Sequence, residues 1–303
     1  MFRKALYGAV ALTAIMVGGA QAEDLKVFRI GILGGENEAD RLRSFQCMVD
    51  KLPSVLGVEK VSLYPAADYD GTIQGLLGGT LDYAELGASG YAKIYLENKD
   101  AVEPILTTVQ TDGSTGYHSI MVARKDSGMT KLEDMKGKKL GFADPDSTSG
   151  YLVPVTSLPK DLGNVAVKEY FAETGFGGGH ENLVLEVLKG TFDAGTTWAS
   201  GVGEFKDGYT SGNLRKMVEK GILDMDDLVQ LWESPLIPNG PIVVRSSMDA
   251  GMKDKFKAFM MELPKSDPAC FAAIQGGEYT SYTEVTPAFY QPIIDARKAQ
   301  IGS

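Results

Sequence analysis

The chain has 303 residues, of which 44% are hydrophobic and 23% charged, and it carries a formal charge of −10. That is the make-up of a packed globular protein. The acidic balance, without any run of Lys or Arg, excludes the basic patches that a nucleic-acid partner requires. A small anionic ligand stays open, because surface charge is screened over roughly 8 Å in physiological salt and donors inside a cleft decide affinity.

Residues 1–22 read as a cleavable signal peptide: Arg3 and Lys4 form a positive start, residues 5–17 are almost unbroken in apolar character, and Ala20-Gln21-Ala22 closes with small residues at a cleavage site. The apolar run is too short for a bilayer, which needs about 20 such residues, and no later stretch approaches that length. Export and a mature start near Glu23 are therefore expected, and loss of Arg3 and Lys4 takes the charge from −10 to −12, since 1–22 holds no acid. About 280 residues remain, enough for one large or two medium domains. Cys47 and Cys270 are the two cysteines. In an oxidising compartment one disulfide between them is open, as are two thiols that never meet, because sequence does not give their separation.

In chain order, residues 26–33 (KVFRIGIL) alternate as an opening strand, and 36–56 show apolar residues at helical spacing, interrupted at Pro53. Strand 58–64, helix 69–77 stopped by Gly78-Gly79, and strand 81–86 follow. A strand at 117–124, a helical turn at 131–135 and a strand at 139–143 open a second unit, continued by a helix near 181–188 and strands at 228–232 and 241–245. The tail reads as helices over 250–261 and 287–299. Such alternation predicts an α/β architecture with helices packed on sheets. The stretches near 117–124 and 229–245 are suited to carrying the chain between two lobes, with a binding cleft between them. That gives lobe 1 as 23–118 plus 234–303 and lobe 2 as 119–233.

The chemistry is densest at residues 141–154, GFADPDSTSGYLVP. Ser147, Thr148 and Ser149 put three hydroxyls beside Gly150, just ahead of an apolar run that can start a helix. The first amides of a helix lack internal partners and its dipole leaves partial positive charge there, so hydroxyls and amides together can hold an anion without a cationic side chain. A helix cap alone is the plainer alternative, but one cap needs one hydroxyl.

The segment D-P-x-S-T-S-G-Y-L-V-P resembles the signature loop of the periplasmic phosphate/phosphite/phosphonate-binding proteins of ABC importers. Ala67-Asp68-Tyr69, residues 111–119 (TDGSTGYHS), Gly179-His180-Glu181 and residues 234–241 (SPLIPNGP) agree with that family in the same order. The resemblance covers roughly residues 26–260. It implies the type II periplasmic binding protein fold, two α/β lobes closing on a ligand. It also implies a monomeric receptor without a cofactor that passes a phosphonate to an inner-membrane permease. By the same resemblance Ser147, Thr148 and Ser149 hold the phosphonate oxygens, while Tyr69 and Tyr117 donate phenolic hydrogen bonds from the other lobe. His180 is a further donor at a second helix start, in either charge state.

Three positions depart from members that bind 2-aminoethylphosphonate. Glu85 stands where those have Trp, Ser200 where they have an acid, and Gly240 where they have Asp. Glu85 is therefore the candidate counter-charge for an amine, and Trp198 a candidate face for a cation. Competing motifs fail. Residues 224–227 lack the glycine and terminal Glu of a calcium loop, 175–179 are not followed by the Lys of a P-loop, two histidines far from either cysteine make no zinc cluster, and no G-x-S-x-G elbow occurs. A receptor for phosphite, phosphate or another oxyanion, and an exported phosphonate-processing enzyme, remain as alternatives.

Overall fold

The computed structural model describes residues 25–302; the expected signal peptide, 1–22, lies outside the described residues. Twelve strands are found among them: β1 (Val27–Ile32), β2 (Lys60–Pro65), β3 (Tyr83–Glu85), β4 (Val102–Gln110), β5 (Gly116–Arg124), β6 (Lys139–Phe142), β7 (Glu173–Phe176), β8 (Ala194–Ala199), β9 (Leu228–Glu233), β10 (Ile237–Pro238), β11 (Ile242–Arg245) and β12 (Tyr279–Glu284). They form two mixed sheets, ordered β12-β4-β11-β3-β1-β2 and β10-β5-β8-β6-β7, with β9 also pairing β5. This is the α/β, two-lobed fold, one sheet at the heart of each lobe.

The chain leaves the first sheet after β4, enters the second at β5, and returns through β9 and β10 to β11. The two crossings touch: Ile237 of β10 pairs with Tyr117 of β5, and the Asn239 side-chain amide donates to the Thr108 carbonyl at 2.9 Å. Binding residues on either side of the crossings can thus converge while the lobes stay joined by two strands.

The helix predicted over 36–56 is two, Glu38–Ser44 and Gln46–Leu56, and the break falls at Phe45 rather than at Pro53. A proline removes one helix hydrogen bond. Here the buried row Met48, Leu52 and Leu56 on the same helix faces the core and outweighs that loss. The helix Tyr69–Leu77 runs as expected, capped by Asp68, which accepts from the Gly71 N–H at 2.9 Å, and closed at Gly78. Helices Ala88–Glu97 and Asn213–Glu219 were not legible in the pattern, and both prove important to the cleft.

Cys47, on the helix Gln46–Leu56, and Cys270, on the helix Pro268–Gln275, form a disulfide with Cα atoms 5.9 Å apart and a sequence separation of 223. It ties the beginning and end of the chain together within the first lobe's apolar core.

Candidate functional site

A cavity of about 480 Å³ lies between the two sheets, and all eight residues singled out from the sequence line it: Tyr69, Glu85, Tyr117, Ser147, Thr148, Ser149, His180 and Trp198. They separate into two groups.

The first group is built on the loop after β6. Asp144 accepts from the Asp146 N–H at 2.7 Å, and Asp146 is ion-paired to Lys93 at 2.9 Å and to Arg297, so the loop is pinned to the first lobe. A wide helical turn, Thr148–Leu152, then leads into the helix Val153–Asp161. Ser147 caps this turn, its hydroxyl accepting from the Gly150 N–H at 3.0 Å, so the plain capping role is real for one of the three hydroxyls. The N–H groups of Thr148 and Ser149 open the turn and have no acceptor within it. The Thr148 hydroxyl accepts from the Ser89 N–H at 2.8 Å, at the start of the helix Ala88–Glu97. Even a Cβ at Gly87 would lie 2.9 Å from that oxygen, so the close approach depends on glycine. Ser119 fixes the turn from below by donating to the Ser149 carbonyl at 2.6 Å.

The two phenols lie within hydrogen-bonding reach of this turn: Tyr69 of Ser147, and Tyr117 of Ser149 and Thr148. Burial pushes both phenols upward, so each keeps its proton and is a donor at neutral pH. His180 is buried at the start of the helix His180–Lys189. Burial pushes its imidazole down to about 4, against the pull of the Glu36 carboxylate, so the ring is neutral. Its two nitrogens already have partners, Ser147 Oγ at 3.0 Å and Thr197 Oγ1 at 3.2 Å. In this arrangement His180 orients the Ser147 hydroxyl. The cations that line the cavity are likewise engaged. Arg41 donates to the carbonyls of Ile32, Leu33, Glu36 and Ala66, Lys216 is 3.6 Å from Glu36, and Lys220 is 2.7 Å from Glu181. Hydroxyls, phenols and free amides are therefore the donors this end offers to an anion.

The second group surrounds Glu85, which ends β3. Tyr83 donates to its Oε1 at 2.8 Å, and the Gln275 side-chain amide reaches Oε1 at 2.9 Å and Oε2 at 3.1 Å. Burial raises the carboxyl's pKa, while the hydrogen bonds from Tyr83 and Gln275 oppose the rise. Gln275 is itself held by Tyr282, 2.8 Å away, and Tyr279 lines the same wall with its phenol pushed up to about 12 by burial. Trp198 packs edge-on against Tyr117, and the Lys216 ammonium sits 5.5 Å from its ring centre. One face of that indole thus already carries a cation of the protein itself.

The other two departures also have physical accounts. Ser200 is buried and organises its own turn, accepting from the Val202 and Ser211 N–H groups at 3.3 Å each and bonding Thr210 at 3.0 Å. At Gly240 a Cβ would lie 1.9 Å from the Leu86 carbonyl oxygen, so this backbone has no room for an aspartate. Gln275, Tyr279 and Lys216 were not seen in the sequence. They lie far from the motifs, and only the packing of the two lobes brings them to the cavity.

A family model described as ABC transporter, phosphonate, periplasmic substrate-binding protein matches residues 30–290. The chain belongs to this family. It is 28% identical over 261 residues to the phosphonates-binding periplasmic protein of Escherichia coli K12, covering 84% of this chain and 72% of that one. To the phosphate-import protein PhnD of Mycolicibacterium smegmatis it is 27% identical over 239 residues, covering 77% and 70%. A crystal structure of a binding-protein component of an ABC phosphonate transporter from Pseudomonas aeruginosa superposes with a TM-score of 0.74. It has 26% identity, and the match covers 90% of this chain and 86% of that one. The family consists of periplasmic transport receptors, so the chain is a substrate-binding component of an importer and not an enzyme. No helix among the described residues is long and apolar enough to cross a membrane.

Proposed function

We propose that this receptor captures a phosphonate bearing an amine on its tail, of the 2-aminoethylphosphonate kind, and delivers it as a monomer to an inner-membrane ABC permease. The observation that carries the reading is the placement of Glu85. An enclosed carboxylate, braced by Tyr83 and Gln275, lines the same cavity as the hydroxyl and phenol donors around Ser147, Thr148 and Ser149. The phosphonate oxygens take the hydroxyl end and the ammonium takes the carboxylate. A micromolar receptor needs about −8 kcal/mol. Several charge-assisted hydrogen bonds at roughly 1.5–3 kcal/mol each can supply it against the cost of association. The lobes, taken as 23–118 with 234–303 and as 119–233, close over the ligand and add contacts from both sides.

A second reading, a receptor for phosphate or phosphite, is favoured by two features. Lys216 already occupies the Trp198 face, and a proton on Glu85, whose pKa burial raises, would make that end neutral. Calorimetric titration with 2-aminoethylphosphonate, methylphosphonate, phosphite and phosphate separates the two. The amine-bearing ligand is expected to bind at least about tenfold tighter than methylphosphonate, a gap of about 1.4 kcal/mol. Equal affinities, or a preference for phosphate or phosphite, would remove the amine pocket and keep the anion site.

A further inference from the structure

On one side of the cleft, Lys216 and Lys220 stand four residues apart, at and just beyond the end of the helix Asn213–Glu219 in the second lobe. Facing them from the first lobe are Glu36 and Asp40, also four residues apart, at the start of the helix Glu38–Ser44. The pairs match in order: Lys216 lies 3.6 Å from Glu36, and Lys220 lies 3.5 Å from Asp40. Between the pairs and the anion site the backbones of the lobes touch. A Cβ at Gly179 would lie 2.3 Å from both the Cα and the carbonyl oxygen of Gly35, and one at Gly35 would lie 2.9 Å from the Gly179 Cα. The stem of Lys216 rests on Gly276 of the first lobe, where a Cβ would meet its Cε at 2.5 Å.

We propose that Lys216 and Lys220 are positioning residues for ligand capture, forming an electrostatic latch with Glu36 and Asp40 that holds the lobes shut. Each lysine also has a partner in its own lobe. Lys216 sits over Trp198, and Lys220 is 2.7 Å from Glu181, next to His180 in sequence. Opening of the cleft therefore takes from the lysines their contacts to Glu36, Asp40 and Gly276 but leaves those to Trp198 and Glu181, which keep them aimed. The four side chains keep between 22% and 33% of their exposure in the closed form. Closure therefore strips much of the hydration from these charges, and that cost offsets most of the attraction between them. That makes the latch weak and reversible, as a receptor that must release its cargo requires. It also lines the same cavity as the anion site, where Glu36 is held below the usual carboxylate range chiefly by Lys216, against burial, with Lys220 and Arg41 adding to the effect.

The inference rests on the receptor reading and is tested on the full chain with 2-aminoethylphosphonate and methylphosphonate as probes. The double reversal Lys216→Glu with Lys220→Glu is expected to weaken methylphosphonate by about tenfold, and single neutralisations by about threefold, while the amine-bearing ligand also senses the changed charge of Lys216 near Glu85. Adding Glu36→Lys and Asp40→Lys should return affinity to within about threefold of the original. A loss confined to the amine-bearing ligand, or one that the charge swap does not repair, would overturn the latch. Should neither probe bind the unaltered chain, the ligand reading fails and small-angle scattering decides the latch by itself. A larger radius of gyration for the reversed chain than for the original and swapped chains supports it, and equal radii overturn it.

Discussion

At one end of the cavity, Ser147, Thr148 and Ser149 arrive together on a single turn and need only two phenols to complete a set of donors. At the other end, Glu85 comes from β3, Gln275 from the helix Pro268–Gln275, Tyr279 from β12 and Trp198 from β8, so four separate elements build one wall. The first end is a local device: consecutive residues and unpaired amides make it wherever the turn forms. The second is assembled by the tertiary fold from members far apart in the chain. On the proposed reading, the local end grips the oxyanion and the assembled end recognises the tail.

The largest expected effect falls on the common end. Replacing Ser147, Thr148 and Ser149 together by Ala should weaken every ligand in the panel by more than about 100-fold, since each charge-assisted hydrogen bond is worth about 1.5–3 kcal/mol. Titration of the variant checks it, and unchanged binding of any one ligand would show that the donors lie elsewhere. Glu85→Gln sharpens the comparison from the other side. The amine-bearing ligand should lose about 10- to 100-fold while methylphosphonate stays within about threefold, because only the former has a charge to place there. Equal losses would make Glu85 part of the scaffold.

The third effect is on stability and belongs to the anion end alone. The folded His180 titrates near 4 instead of its ordinary 6.5, so the unfolded chain takes up the proton first as the solution is acidified. Stability therefore falls as pH drops from 6.5 toward 4, by on the order of 3 kcal/mol from this group. In His180→Asn the decline over that window should be shallower by about that amount, read from urea midpoints at successive pH values. Parallel decline of both proteins would remove His180 as the cause.

The opening strand, the helix Tyr69–Leu77, the loop after β6 and the two-lobed α/β plan were legible because they depend on local signals: alternation, a capping Asp68, a terminating Gly78, and a run of hydroxyls before an apolar stretch. Phe45 as the site of the helix break was not, because packing of Met48, Leu52 and Leu56 overrode the proline. The sequence by itself determined the kind of fold and the hydroxyl-bearing turn, since both follow from residues near one another in the chain. Tertiary structure alone decided that Gln275 braces Glu85 across 190 residues, that Lys216 covers Trp198, and that Gly240 leaves no space for a carboxylate. Those outcomes depend on which surfaces the two lobes present to each other. No periodicity or spacing encodes that, because the contacts join residues whose separation along the chain bears no relation to their separation in space.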